Sequence, residues 1–173
     1  MKKEWIQIKK WLQSNAPEVY RDLLPGLSKI EIDRAEKELE IEFPKEYKES
    51  LKQCNGQLGM KDNLIGDWRL LRLEATIKEW KALNRLFPDD NKNSKDNWEK
   101  YDWWNKKWIP IAYNGAGDFL CIDLSQSETE IDGQIITYWH TKEERSMIYK
   151  SFKNFIEAFL KKMLAGEYLY GDK

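Results

Sequence analysis

The sequence predicts a single α+β domain: helices first, then a mainly antiparallel sheet, then one helix closing over it. Three observations carry this. From Trp108 to Tyr149, short runs rich in Ile, Tyr, Phe and Trp are broken at short intervals by turn residues, the pattern of consecutive antiparallel strands. Ahead of that stretch, apolar residues recur at helical spacing in several segments. Behind it, Phe152, Phe155, Ile156, Phe159, Leu160 and Met163 draw a wide apolar stripe along a last helix.

The totals fit one globular domain. The chain has 173 residues, 41% apolar and 34% charged, enough for a sizeable core. Nine tryptophans are many for this length, and most belong inside. A net charge of −1 gives no reason to expect direct nucleic-acid binding. No apolar run approaches the roughly 20 residues of a membrane span, and the Met1-Lys2-Lys3-Glu4-Trp5 start lacks the apolar stretch of a signal peptide. Cys54 and Cys121 lie in apolar patterns, as buried free thiols of a reducing compartment would. The expectation is a soluble cytoplasmic protein, monomer or weak homodimer, with no membrane partner.

Taken in order, Trp5, Ile8, Trp11 and Leu12 place an amphipathic helix over residues 2–13. Pro17 permits a restart, and Val19, Tyr20, Leu23 and Leu24 suit a second short turn. Together, residues 1–23 read as a helical extension packed on a domain of residues 24–165. Ser28 and Glu31 form a capping box for a helix that ends near Glu40. Phe43-Pro44 opens the next helix, with Pro44 at its first position. Tyr47, Leu51 and Cys54 are its buried stripe, and Asn55-Gly56 its stop. Residues 67–73 read as a strand reaching the sheet, and Glu74–Phe87 as a third helix. The main strands fall within 108–150. Asn114-Gly115-Ala116-Gly117 links two of them as a hairpin turn. Bulky apolar residues at adjacent positions, such as Ile135 beside Ile136, mean that both sheet faces are covered. Ser151 caps the closing helix, Gly166 stops it, and residues 166–173 are a tail on which Tyr168 and Tyr170 are placed to dock.

Two stretches carry a family resemblance. One is Leu24-Pro25-Gly26-Leu27-Ser28, followed by Phe43-Pro44, Tyr47 and Asn55-Gly56. The other is Trp108-Ile109-Pro110, then Gly117-Asp118, Asp123, Gly133 and Trp139-His140. In this order they resemble the SUKH superfamily, named partly for a yeast regulator of cell-wall synthesis. The match spans about residues 24–165. Its many bacterial members are thought to be immunity proteins of polymorphic toxin systems. The resemblance implies an immunity protein that binds and neutralises a cognate protein toxin, through a C-terminal toxin domain such as a nuclease, without catalysis or cofactor. The motif residues would then be structural. The alternative it implies is a regulatory or scaffold module, for instance in cell-wall synthesis.

Catalysis finds little support in the residues. His140 is the only histidine, and neither Cys-x-x-Cys nor paired histidines suggest a metal. No nucleophile elbow accompanies His140. Asp118 and Asp123 stand five apart on one predicted strand, so they point to opposite faces. We therefore assign no catalytic, cofactor or metal residue. Two candidate partner-binding regions remain. Ser125–Asp132 carries Glu128, Glu130 and Asp132 with no Lys or Arg. It is either a solvated hairpin tip or an acidic patch matched to a toxin's basic cleft. Trp98–Trp104 is either a lid packed over the sheet or a set of aromatic anchors led by Trp103 and Trp104. A carbohydrate-binding role for that tryptophan pair is a third class, which the cytoplasmic expectation disfavours.

Overall fold

The computed structural model describes residues 1–88, 103–125, 133–142 and 144–170. It opens with helix α1 (Lys2–Asn15), which buries Trp5, Ile8 and Leu12 on one face. The Trp5 indole N–H donates to Ser50 Oγ at 2.7 Å, tying this helix to the middle of the chain. Helix α2 (Pro17–Asp22) starts on Pro17, whose missing N–H costs nothing at that position. The short strand β1 (Leu23–Pro25) follows. Helix α3 (Lys29–Leu39) carries the full capping box of Ser28 and Glu31, and ends with Glu40 in the left-handed region. Helix α4 (Lys45–Leu51) has Pro44 as its N-cap, one position earlier than the sequence predicts.

The next segment departs from the local signals. Cys54–Gln57 is strand β2, antiparallel to β1, so Asn55-Gly56 lies inside a strand rather than stopping a helix, and Leu23 and Leu24 belong to no helical turn. A buried carboxylate explains the preference. Asp22 accepts hydrogen bonds from the Gly59 and Met60 backbone N–H groups at 3.0 and 2.9 Å, and its carbonyl accepts from Leu58 N at 2.8 Å. Long-range partners thus outweigh the turn preference of Asn-Gly. Strand β3 is only Arg69–Leu70, shorter than the predicted 67–73, because Leu73 already begins helix α5 (Leu73–Leu86).

Strands β4 (Trp108–Tyr113), β5 (Phe119–Asp123), β6 (Gln134–Tyr138) and β7 (Met147–Tyr149) complete an antiparallel sheet in the order β3-β4-β5-β6-β7. Every residue of β5 and β6 is buried. On one face Ile109, Ile111, Leu120, Ile122 and Ile135 meet α1, α4 and helix α6 (Phe152–Leu164), which buries the six apolar residues of its stripe. On the other, Trp108, Phe119, Cys121, Ile136 and Tyr138 form a second core with Leu71, Leu83 and Trp104. Both cysteines are free and buried, and burial pushes the Cys54 thiol up to about 11. The sheet's edges are blunted. Gln57 Oε1 accepts from Leu70 N and Leu64 N beside β3, and a register irregularity interrupts the pairing of β6 with β7. The expected α+β architecture is what the chain adopts.

Gly56 shows how tightly β2 is set. Its φ is +69°, and a Cβ there would lie 2.4 Å from the Leu71 carbonyl oxygen. Gly56→Ala should therefore destabilise the fold by about 2–4 kcal/mol in urea denaturation. Gly115→Ala, at φ +86° with open space around it, should cost only the backbone penalty of about 1–2 kcal/mol. Equal losses at both positions would refute this packing account.

Candidate partner-binding surface

The aromatic segment after residue 102 divides its two tryptophans between inside and outside. Trp104 is 7% exposed. Its ring meets Trp108 and Tyr138 edge-on, at 5.7 and 5.5 Å, and its indole N–H donates to Asn84 Oδ1 at 3.0 Å. It covers the second core as a lid and leaves a partner almost no surface. Trp103 is 39% exposed and stacks on Phe87 at 6.5 Å with nearly parallel planes. Leu86, next to Phe87, is exposed as well. Of the two candidates, Trp103 alone presents an aromatic face to solvent. Trp98 lies outside the described residues.

Arg145, to which the sequence reading gave no role, fixes this segment. Its guanidinium lies over the Tyr138 ring at 4.6 Å and the Trp108 ring at 5.6 Å. It also donates to the Trp103 carbonyl at 2.7 Å and to the Glu144 carbonyl at 3.1 Å, and to the Lys142 carbonyl. One cation thus joins the backbone under Trp103 to the turn after β6. No signal in its own charged segment, residues 142–146, points to this, since Trp108 and the Trp103 carbonyl lie far away in sequence.

Glu128, Glu130 and Asp132 lie outside the described residues. The roots of their segment are defined, and Asp123 organises them. Its carboxylate accepts from Ser125 N at 2.8 Å, from the Ser125 hydroxyl, and from Gln134 Nε2 at 3.1 Å. Its carbonyl accepts from Gly133 N at 2.7 Å. Gly133, at φ +83°, sits against Pro44.

The remaining motif residues sit at crossings of the chain. Pro25 pairs with Cys54, and Gly26 leaves no room for a side chain against the Lys52 carbonyl. Tyr47 packs between Phe43 and Phe152. Asn55 Oδ1 accepts from Leu73 N at 2.8 Å, where α5 begins. The Pro110 carbonyl accepts from the Thr76 hydroxyl at 2.8 Å, and Trp139 packs on Trp68 at 6.0 Å. Asp118 and Asp123 do not share one strand, since β5 begins at Phe119 and only Asp123 lies in it, at its end; their partners are disjoint.

Asp118 joins the β4–β5 hairpin to the turn after β6. It accepts from Asn114 Nδ2 at 2.7 Å and from His140 N at 2.9 Å, and lies 2.7 Å from His140 Nδ1. The missing side chain of Gly117 makes room, since a Cβ there would be 3.2 Å from the His140 ring. The His140 side chain is about half exposed. Among the described residues, no hydroxyl or thiol is hydrogen-bonded to its Nε2, and no cluster of His, Cys, Asp or Glu is arranged to hold a metal ion.

Burial works to raise the Asp118 carboxyl, but the hydrogen bonds from the His140 backbone, the His140 ring and Asn114 outweigh it and hold it below its ordinary value. The contribution of a depressed carboxyl is fully present above its unfolded value, about pH 4, and is lost as pH falls through the folded one. Asp118→Asn should cost about 2 kcal/mol at pH 7. The gap to the parent should narrow below about pH 4, read as melting temperatures of both chains across pH 3–7. A gap that stays constant over that range would remove the carboxylate from the account.

Comparison with known proteins places the chain. The family model described as SMI1 / KNR4 family (SUKH-1) matches residues 26–158. The chain is 22% identical to a Neurospora crassa protein named glucan synthesis regulatory protein, over 97% of this chain and 39% of that one. It is 23% identical to the Schizosaccharomyces pombe cell wall biosynthesis/cell cycle regulator smi1, over 97% and 37%. It is 21% identical to the Saccharomyces cerevisiae cell wall assembly regulator SMI1, over 97% and 41%. The chain therefore spans about two fifths of the length of these curated relatives. A match over residues 26–158, most of the chain and all of the five-stranded sheet, makes the chain a member of the SMI1/KNR4 family, within the SUKH superfamily.

Proposed function

We propose that this chain is a non-catalytic protein-binding module that regulates its partners, in the manner the names of its relatives indicate for cell-wall synthesis. The alignment of nearly the whole chain with three proteins named as regulators carries this reading. It favours regulation over the immunity role that the superfamily's bacterial members suggest. Trp103 is the residue on which contact would centre. It is aromatic and solvent-facing; Phe87 stacks on its ring and Arg145 holds its backbone carbonyl, so the ring presented to a partner is already backed by protein. No cofactor, nucleic acid or membrane is needed. Among the described residues, no helix is long and apolar enough to cross a membrane.

The second reading is the immunity protein, which would neutralise a cognate toxin by direct contact through the acidic segment. Its support is the concentration of Glu128, Glu130 and Asp132 without a basic residue, on roots pinned by Asp123. Such an interface would be sensitive to salt.

One experiment separates the two. The tagged chain is recovered from its native cells, and co-purifying proteins are identified by mass spectrometry. Regulation predicts several partners below stoichiometry, with wall-synthesis proteins among them. It also predicts that Trp103→Ala lowers their recovery about tenfold or more, while charge reversal at Glu128, Glu130 and Asp132 leaves it unchanged. A single stoichiometric partner with a toxin domain, released by the charge reversal and not by Trp103→Ala, would establish the immunity reading instead.

A further inference from the structure

Beyond Gly166, whose φ of +74° turns the chain out of α6, the tail runs back over the domain. Its side chains alternate. Tyr168 and Tyr170 face inward, while Leu169 between them is 78% exposed. The Tyr168 ring packs on Phe159 of α6 at 5.4 Å, and its edge lies over Gly66, where a Cβ would be 3.4 Å away. The Tyr170 ring meets Trp11 of α1 edge-on at 6.0 Å. Its hydroxyl donates to the Leu64 carbonyl at 2.6 Å. Burial pushes the Tyr168 phenol up to about 12 and raises that of Tyr170.

These contacts have the form of peptide recognition. A groove between α1, α6 and the Leu64–Gly66 turn takes two aromatic rings two residues apart. It reads the second by one hydrogen bond to a backbone carbonyl and leaves the middle side chain in solvent. An extended segment met in this way is distinguished by its alternate residues. Tyr170 also lines a cleft of about 540 Å³, walled by the α1–α2 junction at Ala16 and Pro17 and by Met60 and Lys61.

We infer that this groove is a second protein-binding site, specific for an extended segment with the pattern aromatic, any residue, tyrosine, and that the chain's own tail occupies it in cis. The cis ligand fixes the partner's chemistry: one ring for the Phe159 platform, and one phenol for Trp11 and the Leu64 carbonyl. A partner bearing such a segment must displace the tail, so the tail acts as a competitive inhibitor with a high effective concentration. This site is separate from the Trp103 surface and stands whether or not the regulatory reading does.

The test uses the full chain carrying Tyr168→Ala and Tyr170→Ala, so that its tail no longer competes. The probe is a capped peptide with the sequence of residues 166–170, followed by amide chemical shifts at Leu64–Gly66 and the Trp11 indole signal. The peptide should saturate these signals on the double variant. It should bind at least tenfold more weakly to the unmodified chain, and lose binding when its own tyrosines are replaced by alanine. Should the double variant fold poorly, Tyr170→Phe removes only the hydroxyl donor and should still take the peptide several-fold better than the unmodified chain. A dimer formed by exchange of tails, and abolished in the double variant, would be the same occupancy in trans and would support the inference. No saturable shift on any receptor, or equal binding to the variant and unmodified chains, would make the tail a structural strap only and overturn it.

Discussion

The fold depends on burying one strand from both sides. Strand β5 turns Leu120 and Ile122 into one core and Phe119 and Cys121 into the other, so each face of the sheet needs its own cover. Helices α1, α4 and α6 supply one. The second cover is assembled from the middle of the chain: Leu71, Leu83 at the end of α5, Trp104, and the Arg145 guanidinium lying over Trp108 and Tyr138. The relatively thin second cover is rich in aromatic rings because few residues must hide much area, and large flat side chains cover most per residue. Trp103 reaches solvent because it is the outermost piece of this cover.

A second constraint runs through the buried polar residues. Asp22, Asn55, Gln57, Asp118 and Asp123 are all buried, and each spends its oxygens on backbone N–H groups or side-chain donors of a neighbouring segment. A buried polar group left unpaired is costly, so such residues fix where the loops cross. Glycines stand beside several of them. Gly56 and Gly117 make room where a carbonyl or an imidazole must come close. Residues that share a motif in sequence thus share a task in space, holding turns against the sheet.

How much of this is legible in the sequence depends on the range of the deciding interaction. The α3 capping box, the α6 stripe and the Asn114–Gly117 hairpin are local, and their residues announce them. The pairing of β1 with β2 is not local. Asn55-Gly56 carries the chemistry of a helix stop, and pairing with β1, distant along the chain and anchored through Asp22, makes it a strand. Trp103 and Trp104 are chemically identical neighbours. What sends one inward is the position of Asn84, Trp108 and Tyr138, which no periodicity in their own segment encodes. The partnership of Asp118 with His140 was equally out of reach, although the two residues were singled out separately.

Asp123 also acts as a clasp at one end of the sheet. One side chain and its own carbonyl fasten both Ser125 and Gly133, so the segment between those residues begins and ends at a single fixed post. The end of β5 and the start of β6 are thereby closed against each other at Asp123 itself. The register of β5 against β6 is thus set beneath the segment that links them, by a residue that belongs to the sheet.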